Sequence, residues 1–263
     1  MIFDSHCHLD PHTYGGDAGV DAVIATAKAA GVTHMLTVGA GYGADSARRA
    51  VEVARRHAGV WASVGVHPHD AAMLDDALMD ELLALAADTN VVAWGECGLD
   101  FFYDRSPRDV QRAAFRRQIQ VALRLNLPII IHDRDSAGET LQVLDEEGAF
   151  GGAGVLYHCY AGDVDGMWAL VERGGMLSIP GTVTYGKSVI TQDVARKVPM
   201  DRLLVETDAP FLTPEPLRGR RNEPCHVALT VEFIAALRGV PSEAVAEQCA
   251  ENAARLFRVD RRA

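Results

Sequence analysis

Short apolar runs alternate with longer amphipathic stretches along most of this chain. The apolar runs have strand length and fall at Met1–His8, His34–Ala40, Trp61–His67, Val91–Glu96, Ile129–His132, Val155–His158, Met176–Ile179 and Leu203–Asp208. Between them, helical periodicity covers about 21–30, 44–57, 75–88, 107–125, 136–147, 163–173 and 190–197. Two more helical stretches follow the eighth run, near 226–237 and 242–257. Gly31, Gly148 and Gly174 stand where helix ends favour a left-handed residue, and Ser106-Pro107 and Pro241-Ser242 where helices start. Ile129-Ile130-Ile131 is apolar on both faces, as a strand covered on both sides must be. Eight strands, each separated from the next by a helix, predict an α/β fold, a parallel TIM-type (β/α)8 barrel. No Pro/Ser-rich linker, low-complexity tract or internal repeat interrupts the pattern, so residues 1–263 read as a single domain.

Composition narrows the partners. The formal net charge of −11 argues against a broad basic surface for nucleic acid, though not against an enzyme that grips phosphate through metal ions. No apolar run reaches membrane-spanning length, and no leader pattern opens the chain. The five cysteines are odd in number, scattered and never spaced CxxC, which predicts a reduced, cytoplasmic protein. The chain is read as a monomer with no membrane partner.

Ligand-type residues close six of the eight runs, always at the C-terminal end. His6 and His8 end the first, His67 the third, Glu96 the fourth, His132 the fifth, His158 the sixth, and Glu206 and Asp208 the eighth. In a barrel those ends converge on one mouth. Alternation along a strand puts His6 and His8 on one face and Cys7 on the other. By the same parity Cys97 and Cys159 face outward, as small buried hydrophobes rather than thiolate ligands. Imidazole and carboxylate donors suit Zn, Mn, Fe, Ni or, less well, Mg. The set is too large for one tetrahedral ion with an open position and fits two ions sharing a carboxylate. None of Lys28, Lys187 and Lys197 ends an inward strand, so the shared group is expected to be Glu96.

The segments FDSHCHLD, GVHPH, GECGLDFF, SPRDVQRAAFRRQI, IIIHDRDS, HCYAG, ETDAPFL and RGRRNEP, in this order and spacing, resemble the TatD family of metal-dependent hydrolases and deoxyribonucleases. The resemblance covers nearly the whole chain. It implies an amidohydrolase-type TIM barrel holding two divalent ions, Mg, Mn or Zn. His6, His8, Glu96 and Asp208 would hold one, and Glu96, His132 and His158 the other. Glu206 would orient a ligand or help bind a third. The family is associated with 3′-to-5′ exonuclease activity on DNA or RNA, and one branch is similar to enzymes that hydrolyse D-aminoacyl-tRNA. Cys225-His226 and His158-Cys159-Tyr160 depart from the family pattern without touching a ligand.

The expected reaction is phosphodiester hydrolysis of DNA, or RNA, by a metal-activated water. Asp208 is the candidate proton acceptor, with Glu96 as the bridge. His67 is a candidate contact to the phosphate or proton donor, and a structural histidine is the plainer reading. His69 is expected at the rim. Asp100 would orient a ligand imidazole and Arg134 clamp a phosphate, unless the two simply pair with each other. Arg218, Arg220 and Arg221 form the one dense basic cluster, a candidate phosphate-binding loop shaped by Asn222. His226 shows no partner pattern, and Trp61, Trp94 and Trp168 read as packing. With 6% aromatic residues, any grip on single-stranded ends should be short and local. A carboxylic ester or amide hydrolase, or a metal-binding scaffold without catalysis, are the competing readings.

Overall fold

A computed structural model describes residues 1–41 and 43–260. Eight strands occur in chain order: β1 (Ile2–Cys7), β2 (Val32–Gly39), β3 (Val60–Val64), β4 (Val91–Asp100), β5 (Ile129–Arg134), β6 (Val155–Tyr157), β7 (Met176–Ile179) and β8 (Leu203–Val205). The helices are α1 (Pro11–Tyr14), α2 (Asp17–Ala29), α3 (Ala44–Arg56), α4 (Asp76–Ala86), α5 (Arg108–Leu125), α6 (Glu139–Glu146), α7 (Val164–Glu172), α8 (Val189–Lys197), α9 (Val227–Arg238) and α10 (Ser242–Phe257). One sheet holds the strands in sequential order. The registered pairs β3–β4, β4–β5, β5–β6 and β7–β8 are parallel. This is the (β/α)8 pattern that the sequence predicts, a TIM-type barrel.

The residues fall into two compact units. One comprises Met1–Leu36, His158–Glu172 and the chain from Met176 onward. Here β1 pairs with the segment after β8: the His8 N–H donates to the Ala209 carbonyl (2.7 Å) and the Asp208 N–H to that of His6 (2.9 Å). First and last strands therefore lie side by side. Helix α10 covers them, with Phe257 tilted against Phe3 and the buried Asn252 amide donating to Met200 O (2.6 Å) and Leu203 O (2.8 Å). A buried Asn is tolerable only with its polar atoms engaged, and these bonds stop the chain entering β8 from sliding along the helix.

The other unit comprises Thr37–Tyr157 and Arg173–Gly175. Its long helix α5 buries a stripe at 111, 114, 115, 118, 119 and 122, the i, i+3, i+4, i+7 spacing of an amphipathic helix. Two glutamines sit in that stripe with the strands as their partners. Gln118 accepts from Val66 N–H (2.8 Å) and the Trp94 indole (3.2 Å), and donates to Val66 O (3.0 Å). Gln111 accepts from Asp100 N–H (2.9 Å) and donates to Asp100 O (3.1 Å). A helix thus fixes the two backbone points from which His67 and Asp100 leave.

Five predicted strands end early: β1 at Cys7 rather than His8, β2 at Gly39 rather than Ala40, β3 at Val64 rather than His67, β6 at Tyr157 rather than His158, and β8 at Val205 rather than Asp208. Apolar patterning cannot see the point where a chain leaves the ladder to aim a side chain. β4 instead runs four residues past Glu96, and all ten of its residues are buried. Cys159 therefore lies outside a strand, in the left-handed region (φ 46°) and half-buried, so parity does not govern it. Cys7 and Cys97 are fully buried as expected, and burial pushes both thiols up. Trp94 is core, but Trp168 is 41% exposed and is not packing. Among the described residues no helix is long and apolar enough to cross a membrane.

Gly98 of β4 pairs with His132 of β5 at φ 149°. A Cβ there would lie 1.9 Å from the His132 carbonyl oxygen, a backbone atom with nowhere to go. Gly98→Ala is expected to cost more than about 2 kcal/mol, seen as a lower denaturation midpoint at unchanged slope. Wild-type stability in that variant would show that the strands can part at no cost.

Candidate metal centre

In the first unit the ligand-type residues come from β1 and from the ends of β6 and β8. His6 lies in β1 and His8 one residue past its end, and the two imidazoles still meet on one side, as the alternation of an extended chain gives. Asp208 is brought to them by the backbone pairing of its segment with β1. Its Oδ1 lies 3.4 Å from His8 Nε2 and 3.8 Å from His6 Nε2. One donor atom from each of the three falls within 4.8 Å of the others. The His158 ring stacks on that of His6 at 3.9 Å. Burial works against a charge on Asp208, yet the hydrogen bond from His8 and the nearby imidazoles outweigh it and hold the carboxyl below its usual value. It is a carboxylate at neutral pH.

The turn that presents Asp208 is built from polar residues of which sequence reading singles out Asn222 alone, and for the neighbouring basic loop. Asp208 itself is left-handed (φ 53°), a conformation that Asp tolerates. Before it, Thr207 donates its N–H (2.9 Å) and hydroxyl (2.6 Å) to Asp4, and the Asn222 amide donates to Thr207 O (2.9 Å) and Phe211 O (2.6 Å). His226 Nδ1 lies 2.9 Å from the Asn222 side-chain oxygen. Asn222 therefore shapes the 207–211 turn, and His226 has a partner after all. Glu206 accepts from the Cys159 N–H (2.7 Å) and from the Ser178 hydroxyl, and lies 3.5 Å from His158 Nδ1. With both oxygens so engaged, it stays outside the three-residue cluster.

In the second unit His67, Glu96 and His132 meet, again with donor atoms within 4.8 Å of one another. Glu96 Oε1 is 2.6 Å from His132 Nδ1 and 3.5 Å from His67 Nε2, and the two imidazoles are 3.3 Å apart. Burial pushes the His67 pKa down to about 4 although Glu96 pulls the other way, so its ring is neutral near pH 7. His132 Nε2 lies 3.2 Å from Asp100 Oδ2, and His69 Nε2 lies 2.7 Å from the same oxygen. Burial raises Asp100, but hydrogen bonds from His132, the Tyr103 amide and His69 prevail and hold the carboxyl well below its usual range. His69 is not a rim residue. It sits in the 3-10 turn Pro68–Met73, half-buried and bound to Asp100.

Arg134 does not pair with Asp100. Its guanidinium lies over the Phe102 ring (4.3 Å) and the Tyr103 ring (4.7 Å). The basic cluster after β8 is spread out: Arg218 stacks on Tyr185 and stands 4.0 Å from Glu215, Arg221 stacks on Tyr14 and pairs with Glu223, and Arg220 is exposed. The sequence reading missed the exposed aromatics Phe102, Tyr103 and Phe211, the last of which stands edge-on to His8. Nothing in the local pattern separates them from core aromatics.

Both clusters fit divalent ions by their donor chemistry. Each combines two imidazoles with one carboxylate, and the half-buried, neutral His67 keeps the lone pair a metal needs. The contact between His132 and Asp100 is the kind that fixes a ligand imidazole's tautomer and plane.

A model of the TatD related DNase family matches residues 3–258. An uncharacterized metal-dependent hydrolase of Bacillus subtilis, YabD, is 40% identical over 260 residues, 99% of this chain and 100% of the relative. The 3′-5′ ssDNA/RNA exonuclease TatD of Salmonella typhimurium is 37% identical over 263 residues, 98% of this chain and 99% of the relative. The crystal structure of the TatD homologue YjjV from Escherichia coli superposes with a TM-score of 0.90 at 28% identity, covering 98% of both chains.

Two outcomes are expected of these clusters. Asp100→Asn should weaken metal binding about 10- to 100-fold by calorimetry while leaving the fold intact; unchanged affinity would remove Asp100 from the site. Because His67 takes up its proton more readily unfolded than folded, metal-free stability should rise with pH between about 4 and 6.5. His67→Gln should flatten that slope, and a His67 ring titrating near 6.5 by NMR would contradict the buried environment.

Proposed function

We propose that this protein, which belongs to the TatD-related DNase family and is a metal-dependent hydrolase, removes nucleotides from the 3′ ends of single-stranded DNA or RNA. The carrying observation is the pair of imidazole–carboxylate clusters, one in each unit. In the reading carried from the sequence, His6, His8, Glu96 and Asp208 hold one ion. Glu96, His132 and His158 hold a second, and His67 joins Glu96 and His132 there. Bound divalent ions would supply a nucleophilic water at neutral pH and neutralise charge on the phosphoryl oxygens.

The chain's own residues do the rest. Asp208, held ionised, accepts the proton of the attacking water. A His67 that stays neutral is better suited to ligation than to donating a proton as imidazolium. Glu206 orients His158 through the contact it makes at the end of β8. Arg134, with no carboxylate paired to it among the described residues, is the phosphate contact. Arg218 and Arg221 each stand near an acid, so they and Arg220 serve a more distal part of the strand. Two relatives named 3′-5′ ssDNA/RNA exonuclease, from Salmonella typhimurium and Cronobacter sakazakii, support the substrate class. Five free cysteines suit a reducing, cytoplasmic setting.

The test offers metal-loaded protein single-stranded oligonucleotides blocked at the 3′ or the 5′ end. Mononucleotides released only from a free 3′ end, and not by His6→Ala/His8→Ala, are expected. Cleavage of neither strand would move the reading to carbonyl chemistry, with D-aminoacyl-tRNA the next substrate. Asp208→Asn should lower turnover at least ~10²-fold at full metal occupancy. Turnover near wild type would take the proton-acceptor role from Asp208.

A further inference from the structure

Phe102 and Tyr103 lie two and three residues past the end of β4 and are 56% and 49% exposed. Large aromatic side chains standing in water need a reason, and these two are held in place rather than left loose. Both backbone N–H groups donate to Asp100 Oδ1, at 3.1 Å and 2.8 Å. The same carboxylate uses its other oxygen on His69 and His132. The aromatic pair is therefore fixed to the imidazole cluster by one buried side chain. The Tyr103 ring also stands edge-on to His69, with centroids 5.4 Å apart.

The two rings are perpendicular to each other at 4.9 Å, and Arg134 fills the corner between them. Arg105 lies over Tyr103 at 5.5 Å. Among the described residues neither guanidinium is paired with a carboxylate. That is notable in a chain of net charge −11, where Arg108, Arg112, Arg116 and Arg117 nearby in sequence all have acidic partners. Half-exposed rings already lined by cations without counter-ions complement one chemistry: a planar base joined to a phosphate.

We infer that Phe102, Tyr103 and Arg134 form a nucleobase subsite, in which the base beside the scissile phosphate stacks on the exposed aromatic faces and Arg134 neutralises the adjoining phosphate. The inference rests on the nuclease reading and gives it a way to hold a strand end. A single platform next to the metal cluster grips one or two nucleotides, without a long channel. Stacking is tolerant of sequence because every base has a face, so the subsite favours bases over none rather than one base over another.

Two measurements test it. The first compares KM for a normal single strand and for one whose 3′-terminal nucleotides are abasic. Wild type is expected to prefer the normal strand about tenfold or more. Phe102→Ala/Tyr103→Ala should treat the two alike. The ring-preserving Phe102→Tyr/Tyr103→Phe should keep the preference. The second titrates a strand carrying 3′-terminal 2-aminopurine with protein in EDTA. Quenching by wild type, lost in the double alanine variant, supports stacking; equal quenching by both, or none by wild type, overturns it. Arg134→Gln should shallow the dependence of log affinity on log salt by about 0.7, the share of one single-strand phosphate. If metal-loaded wild type cuts neither strand, the nuclease reading fails by itself and the fluorescence titration still decides the subsite.

Discussion

The buried carboxylate of Asp100 accepts on one oxygen from the Phe102 and Tyr103 amides and contacts His69 and His132 with the other. A carboxylate taken out of water is costly unless its lone pairs are met, and each charged hydrogen bond is worth about 1.5–3 kcal/mol. Here they outweigh the burial and keep the group ionised. The consequence is geometric. An imidazole facing the cluster, a second imidazole behind it and the start of the loop beyond β4 all take their positions from one side chain. That side chain is itself fixed, because Gln111 of α5 holds the Asp100 backbone on both its N–H and its carbonyl. Helix, strand end, ligand and loop form one chain of hydrogen bonds.

The other unit solves the same problem with different residues. Asp208 must leave β8 and still face β1. Asp4, Thr207, Asn222 and His226 make the relay that holds its turn, while backbone pairing to His6 sets its depth. Cys225-His226 contributes its imidazole to this relay. In both units a functional group sits just outside the regular ladder, and the unpaired backbone left there is satisfied by buried polar side chains.

Much of this was legible along the chain. Each strand and each long helix lies within a few residues of where the apolar pattern puts it, because periodicity is a local property that burial of one face enforces. The ligand-type residues were found by where they fall, at strand ends, and His6, His8 and Asp208 do meet, as do Glu96 and His132. The third member of the second cluster, His67, had no assigned place in the metal set. Its strand stops three residues short of it, and only the turn at Pro68 and the grip of Gln118 on Val66 bring it in.

The sequence alone determined the α/β alternation, the eight strands, and the row of histidines and carboxylates at their ends. Those follow from side-chain chemistry repeated at fixed spacing, and no long-range contact is needed to read them. Tertiary structure decided which residues serve those ligands. Gln118 acts on Val66 across 52 positions, and Thr207 on Asp4 across 203. It also decided that Phe102 and Tyr103 stand in water while Trp94 is sealed in the core. Aromatic residues look alike in one dimension, and only the packing around them settles which will meet a ligand.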